Sequence, residues 1–157
     1  MPKRLKSQRR GKGSPVFVAT NKGAAPAQYV DYTEMTEKTL KGEVVGLIHD
    51  PARTAVLSKI EFDNGSQSYS VAAEGMFVGQ KVEYGTEADL QVGNVKPIGN
   101  CVEWCPIFNV EKTPGDGGSL VRSSGTYALI VTKDKKTVYV KMPSGKTMEL
   151  NPKNRAT

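Results

Sequence analysis

Apolar and polar residues alternate in short bursts from Leu40 to Leu150, and a period of two is the pattern of half-buried strands. Residues 41–48 read as a first strand, closed by His49-Asp50-Pro51, where Pro51 bars helix at Asp50. Residues 55–62 alternate around Val56, Ser58, Ile60 and Phe62 and read as a second. Asp63-Asn64-Gly65 is a hairpin turn, and residues 67–72 continue as a third strand. Residues 80–84 and 88–92 complete a set of five, which predicts a small OB-type barrel. Gly93-Asn94 and Lys96-Pro97 mark a boundary. Beyond it, residues 106–110, 119–121, 126–132, 137–142 and 147–150 read as five further strands, with turns at 133–136 and 143–146, as an SH3-like barrel has. Ahead of both barrels, residues 1–35 hold little apolar periodicity, apart from a single helical turn predicted over 33–40. The expected chain is all-β, with an extended basic arm over 1–36, an OB-type barrel over 37–95 and an SH3-like barrel over 96–157.

Charge gives this layout a direction. The net charge is +6, but residues 1–24 carry +7, residues 25–95 carry −6 and residues 96–157 carry +5. A polyanion would be gripped from the ends, with the acidic middle turned outward. Six cations (Lys3, Arg4, Lys6, Arg9, Arg10 and Lys12) fall in the first twelve positions without one acid. Self-repulsion predicts disorder in the free arm, and folding along RNA as the phosphates are neutralised. A solubilising tail or localisation signal is the blander reading. No stretch reaches the ~18 apolar residues of a membrane span, and no apolar region follows the basic start as a secretory signal requires. Two cysteines make no disulfide framework, so a reducing, intracellular setting is expected.

Catalytic and metal chemistry find little support. His49 is the only histidine, and its neighbour Asp50 would point to the opposite face of a strand. Cys101 and Cys105, in Cys-Val-Glu-Trp-Cys, fall short of a four-ligand zinc set and read as loop thiols beside Trp104. Gly115-Asp116-Gly117-Gly118 is followed by neither Gly-Lys-Ser/Thr nor a helix pattern, so it is no nucleotide-binding loop. Its bare backbone, with Arg122 nearby, suits a phosphate-rich partner, although composition alone favours a solvated turn. Arg53 and Arg122 are isolated cations beside turns, equally suited to a phosphate or to a nearby carboxylate.

Several stretches, taken together, resemble the ribosomal protein L-two family. They are residues 8–14 (QRRGKGS), 48–53 (IHDPAR), 71–75 (VAAEG), 92–95 (VGNV), 109–111 with 114–126, 140–145 (VKMPSG) and 154–157 (NRAT), in the family's order and spacing. The arm and the Ala-Ala-Glu-Gly turn look like the archaeal and eukaryotic branch. The resemblance implies an OB-type and an SH3-like barrel in a structural constituent of the large ribosomal subunit, not an enzyme. Such a protein binds and orders large-subunit rRNA, supporting subunit assembly and the region around the peptidyl-transferase centre. It implies RNA contacts along the arm, at Arg53 and Arg122, and, with the loop cations, at His49, Gly117, Gly118, Lys141, Lys146, Lys153 and Arg155. The implied partners are that rRNA and neighbouring ribosomal proteins in the cytoplasmic ribosome, with no membrane and no small-molecule substrate. No cofactor is expected of the chain itself, any structural Mg being associated with the rRNA. A free-standing two-barrel RNA-binding translation factor is the second reading. Two departures stand out. Trp104 sits where the family tends to have glycine. The family also continues past the position of Thr157 with a glycine- and histidine-rich basic extension toward the catalytic centre, a part of the role that no residue here carries.

Overall fold

A computed structural model describes residues 3–18, 21–31 and 39–157. The helical turn expected over 33–40 falls largely outside the described residues. The chain forms two four-stranded antiparallel sheets, the OB-type and the SH3-like barrel. In the first, β1 (Leu40–Ile48), β2 (Leu57–Phe62), β3 (Gln67–Val71) and β4 (Lys81–Tyr84) lie in the order β3-β2-β1-β4. Alternation decides the inner face: Val44, Ile60, Phe62, Val82 and Tyr84 point inward and form the core with Met76, Val95 and Tyr29. Phe62 and Tyr29 both meet the Tyr84 ring edge-on, at 5.0 and 6.0 Å between centroids. Gly42 lies under Phe62 and the Glu61 carbonyl; a Cβ there would come within 2.8 Å of the ring. Glycine is what lets β1 pass so closely between β2 and β4. A bulge between Val44 and Gly46 then bends the strand.

The strand expected over 88–92 does not form. Polar side chains there hydrogen-bond locally and offer the backbone a turn instead. The Asn94 side chain donates to the Asp89 carbonyl and accepts from the Glu83 amide, at 3.0 and 2.8 Å. The chain then lays Val95 beside Tyr84 and forms β5 (Lys96–Pro97), which pairs with a strand from the far end of the sequence.

The second sheet holds β6 (Pro106–Ile107), β7 (Ala128–Lys133), β8 (Val138–Lys141) and β9 (Thr147–Leu150) in sequential order. Residues 119–121, expected as a strand, contribute only a bridge between Leu120 and Val110. Ile98, Ile107, Val110, Ile130, Val138, Val140 and Leu150 are among the residues of its core. The last strand, β10 (Arg155–Ala156), leaves this sheet and pairs with β5. A third, smaller cluster of Ala27, Ala55, Leu57 and Val71, with Phe108 packed on it, joins the arm to both barrels.

Candidate nucleic-acid interface

Among its described residues the arm forms a five-residue helix, α1 (Lys6–Arg10), that buries nothing. Beside its backbone bonds, the Leu5 amide donates to the Gln8 side chain, and Arg10 stands 5.7 Å above the Phe17 ring. A helix this short has little stability of its own. Lys3, Arg4, Lys6, Arg9, Arg10 and Lys12 are all exposed, which presents a cationic surface without an acid. Lys141 on β8, Lys146 in the β8–β9 turn, and Lys153 are exposed on the second barrel. His49, at the end of β1, is exposed as well.

Further along, the arm passes between the barrels, and four of the expected RNA contacts, Arg53, Gly117, Arg122 and Arg155, bond to it there. The Asp50 carboxylate is buried, accepts from the Ala25 amide at 3.1 Å, and lies 2.8 Å from Arg53 Nε. The Arg53 Nε–H points off that oxygen, so the contact is an ion pair rather than a hydrogen bond. Arg53 also donates to the Ala25 carbonyl at 3.4 Å. Arg122 donates to the carbonyls of Gly118 and Ala27, at 2.9 and 2.6 Å. Burial first, then the neighbouring Arg53 charge, lowers the proton affinity of its guanidinium. Each of these half-buried arginines, expected to grip phosphate, sends one donor to the backbone of residues 25–27 and so ties the arm to a barrel.

Gly117 and Gly118 also depart from expectation. Both are buried, and their amides donate to Glu111 Oε1 at 3.0 Å and Asp116 Oδ1 at 2.9 Å, leaving neither for a phosphate. The close backbone approach that glycine permits here is to the chain itself. A Cβ on Gly118, where φ is +93°, would sit 2.5 Å from Asn109 Oδ1, and one on Gly117 would press Gln28. Asp116 orders the loop by accepting also from Lys112, Thr113 and Ser119. Burial alone would raise its carboxyl, but these bonds outweigh burial and hold it below the usual range.

Arg155 is the plainest correction. It is 1% exposed, and its Nε and Nη2 both donate to Glu111 Oε1, at 2.9 and 2.6 Å. Its Nη1 donates to the Val30 carbonyl, and its charge lies 5.3 Å from the centre of the Tyr29 ring. Glu111 Oε2 accepts the Arg155 amide. The Tyr29 hydroxyl in turn donates to the Asn109 carbonyl at 2.8 Å and lies 2.7 Å from Thr157 Oγ1. Burial pushes that hydroxyl's pKa up, so it stays a neutral donor. A cation so enclosed fastens β10 and the arm to the second barrel.

The remaining chemistry is sparse. Cys101 belongs to the second core, and burial first, with Cys105 adding, pushes its thiol up to about 11, away from the reactive thiolate. Among the described residues no group of three or more His, Cys, Asp or Glu is placed to hold a metal ion. No helix among them is long and apolar enough to cross a membrane. A wide hollow of about 710 Å³ on the first barrel is lined by Glu43, Glu61 and Asp63, the wrong sign for a polyanion.

The fold and the surface together define a two-barrel β protein with a basic arm, exposed cations on the second barrel and an acidic first barrel. Residues 2–84 match the family model described as Ribosomal Proteins L2, RNA binding N-terminal domain, and residues 91–157 match Ribosomal Proteins L2, C-terminal domain. The chain belongs to the ribosomal protein L2 family. It is 43% identical over 159 aligned residues to the large ribosomal subunit protein uL2 of Methanothermobacter thermautotrophicus, and equally to that of Methanocaldococcus jannaschii. Each alignment covers 100% of this chain and 66% of the relative, so the chain spans about that share of their length. The names these relatives carry are those of ribosomal proteins, not of enzymes.

Proposed function

We propose that the chain is a constituent of the large ribosomal subunit that binds and orders its rRNA, in the cytoplasmic ribosome beside neighbouring ribosomal proteins. The observation that carries this reading is the arm, whose first twelve residues hold six exposed cations, with no acid in residues 1–24. Family membership supports it, since the matching N-terminal model is described as RNA binding. In this proposal the RNA lies along Lys3, Arg4, Lys6, Arg9, Arg10 and Lys12 and continues to Lys141, Lys146 and Lys153, with His49 at an edge. Arg53, Arg122 and Arg155 set the frame that aims these groups. The arm (1–36), the first barrel (37–95) and the second (96–157) are the proposed units, although Tyr29 of the arm completes the first core.

Salt dependence is the test. Nine such cations neutralising phosphates release counterions, and raising salt from about 50 to about 200 mM is expected to weaken large-subunit rRNA binding by roughly 10³–10⁵. A filter-binding titration reads this directly. Affinity that hardly changes over that range would remove the electrostatic mechanism.

A further inference from the structure

We infer that Trp104 is a stacking platform for an unpaired RNA base, a contact that rests on the RNA-binding reading above and extends it to the loop before β6. Its backbone has φ +63°, left-handed geometry that a bulky residue adopts at a cost and glycine adopts freely. Nothing in the fold asks for an indole there. The residue is 67% exposed, while Cys101 and Cys105 on either side contribute to the second core and Trp104 does not. The loop's fastenings are mostly backbone. The Trp104 amide donates to the Ile130 carbonyl at 2.7 Å, and the Ile130 amide to the Cys105 carbonyl at 3.3 Å. Any residue would serve for these. Strain that brings no burial, at a large exposed aromatic side chain, points to a contact outside the chain.

The surroundings favour nucleic acid as that contact. The loop is laid along β7, which leads into the hairpin tip carrying Lys133, Lys135 and Lys136 against one Asp134. Lys133 Nζ is tied to the Gly99 and Cys101 carbonyls, which fixes the loop to that tip. The Glu103 carboxylate accepts the Lys133 amide, which occupies the one acid within the loop. An exposed indole on a loop bonded to Lys133, at the base of the tip that carries the exposed Lys135 and Lys136, matches how unpaired bases are held: a ring stacks on the base while cations take the flanking phosphates.

Trp104 is the only tryptophan in the chain, so its emission reports on this site alone. The full chain is titrated with large-subunit rRNA, with complex formation followed separately by mobility shift. Indole emission is expected to be quenched, and its access to acrylamide to fall, as the complex forms. Trp104→Gly is expected to melt no lower than wild type, since it relieves strain, yet to bind about tenfold more weakly, while Trp104→Phe keeps most of the affinity. A shifted complex in which Trp104 stays open to acrylamide, or Trp104→Gly binding as wild type does, overturns the inference and leaves the RNA-binding reading standing. Shielding that appears only when the subunit's proteins are added, and not with rRNA alone, assigns the ring to a protein contact and also overturns it. No shift at all, with any variant, defeats the RNA-binding reading and this inference with it.

Discussion

Replacing Arg155 by alanine is expected to lower stability by about 3–5 kcal/mol, the cost of leaving one member of a buried ion pair without the other. Glu111 is fully buried and receives the Arg155 guanidinium, the Arg155 amide and the Gly117 amide. Without the guanidinium its charge is left with two backbone donors in a site closed to water. The same change frees the Val30 carbonyl and removes the cation from the Tyr29 ring, so the arm, β10 and the second barrel all loosen together. Lysine is not a substitute, because an ammonium cannot span Glu111 and Val30 as the planar fork does. Replacing both Glu111 and Arg155 with methionine removes the uncompensated charge, and part of the loss is expected to return. Urea unfolding of the four proteins measures this; an Arg155→Ala midpoint equal to wild type would contradict the role.

Neutralising the arm has the opposite signature. With Lys3, Arg4, Lys6, Arg9, Arg10 and Lys12 changed to glutamine, the melting temperature should stay put, because α1 buries nothing. The slope of log affinity against log salt should fall by roughly 4–5, as six phosphate contacts are lost. Over a fourfold rise in salt, the wild type then loses roughly a few hundredfold to a thousandfold more affinity than the variant. An unchanged slope would mean that the arm does not lie on RNA. The pair of experiments separates the two kinds of cation, one holding the fold and the other holding the partner.

That separation was the part of the molecule least legible in the sequence. Period-two alternation located the strands of both sheets, because one face of each is buried and the other is not. It located a strand at 88–92 that does not exist, since Leu90 and Val92 alternate properly but Asp89 and Asn94 capture the backbone first. It missed β5 and β10, two-residue strands joined across nearly sixty positions, which leave no periodic trace. Arg155 looked like an RNA contact because its charge is visible in the sequence and its partner Glu111, 44 positions earlier, is not. The glycines at 117 and 118 read as a bare backbone open to a partner, and the close approach that the structure shows is to Gln28 and Asn109. The exposed arm needed no structure to be found: a run of cations without acids has no means of burying itself. Trp104 carried a weak signal, a large aromatic side chain where glycine would fit, and only the positive φ gives it meaning.

The central claim is that this chain works as part of the large subunit. The most direct measurement is sedimentation of the tagged protein from lysed cells on a sucrose gradient, with stepwise salt washing of the fractions. The protein is expected to travel with the large subunit, to stay through low-salt washing and to be stripped only as the salt rises. Protein found solely in the light fractions, even at low salt, would contradict it and point to a free RNA-binding factor.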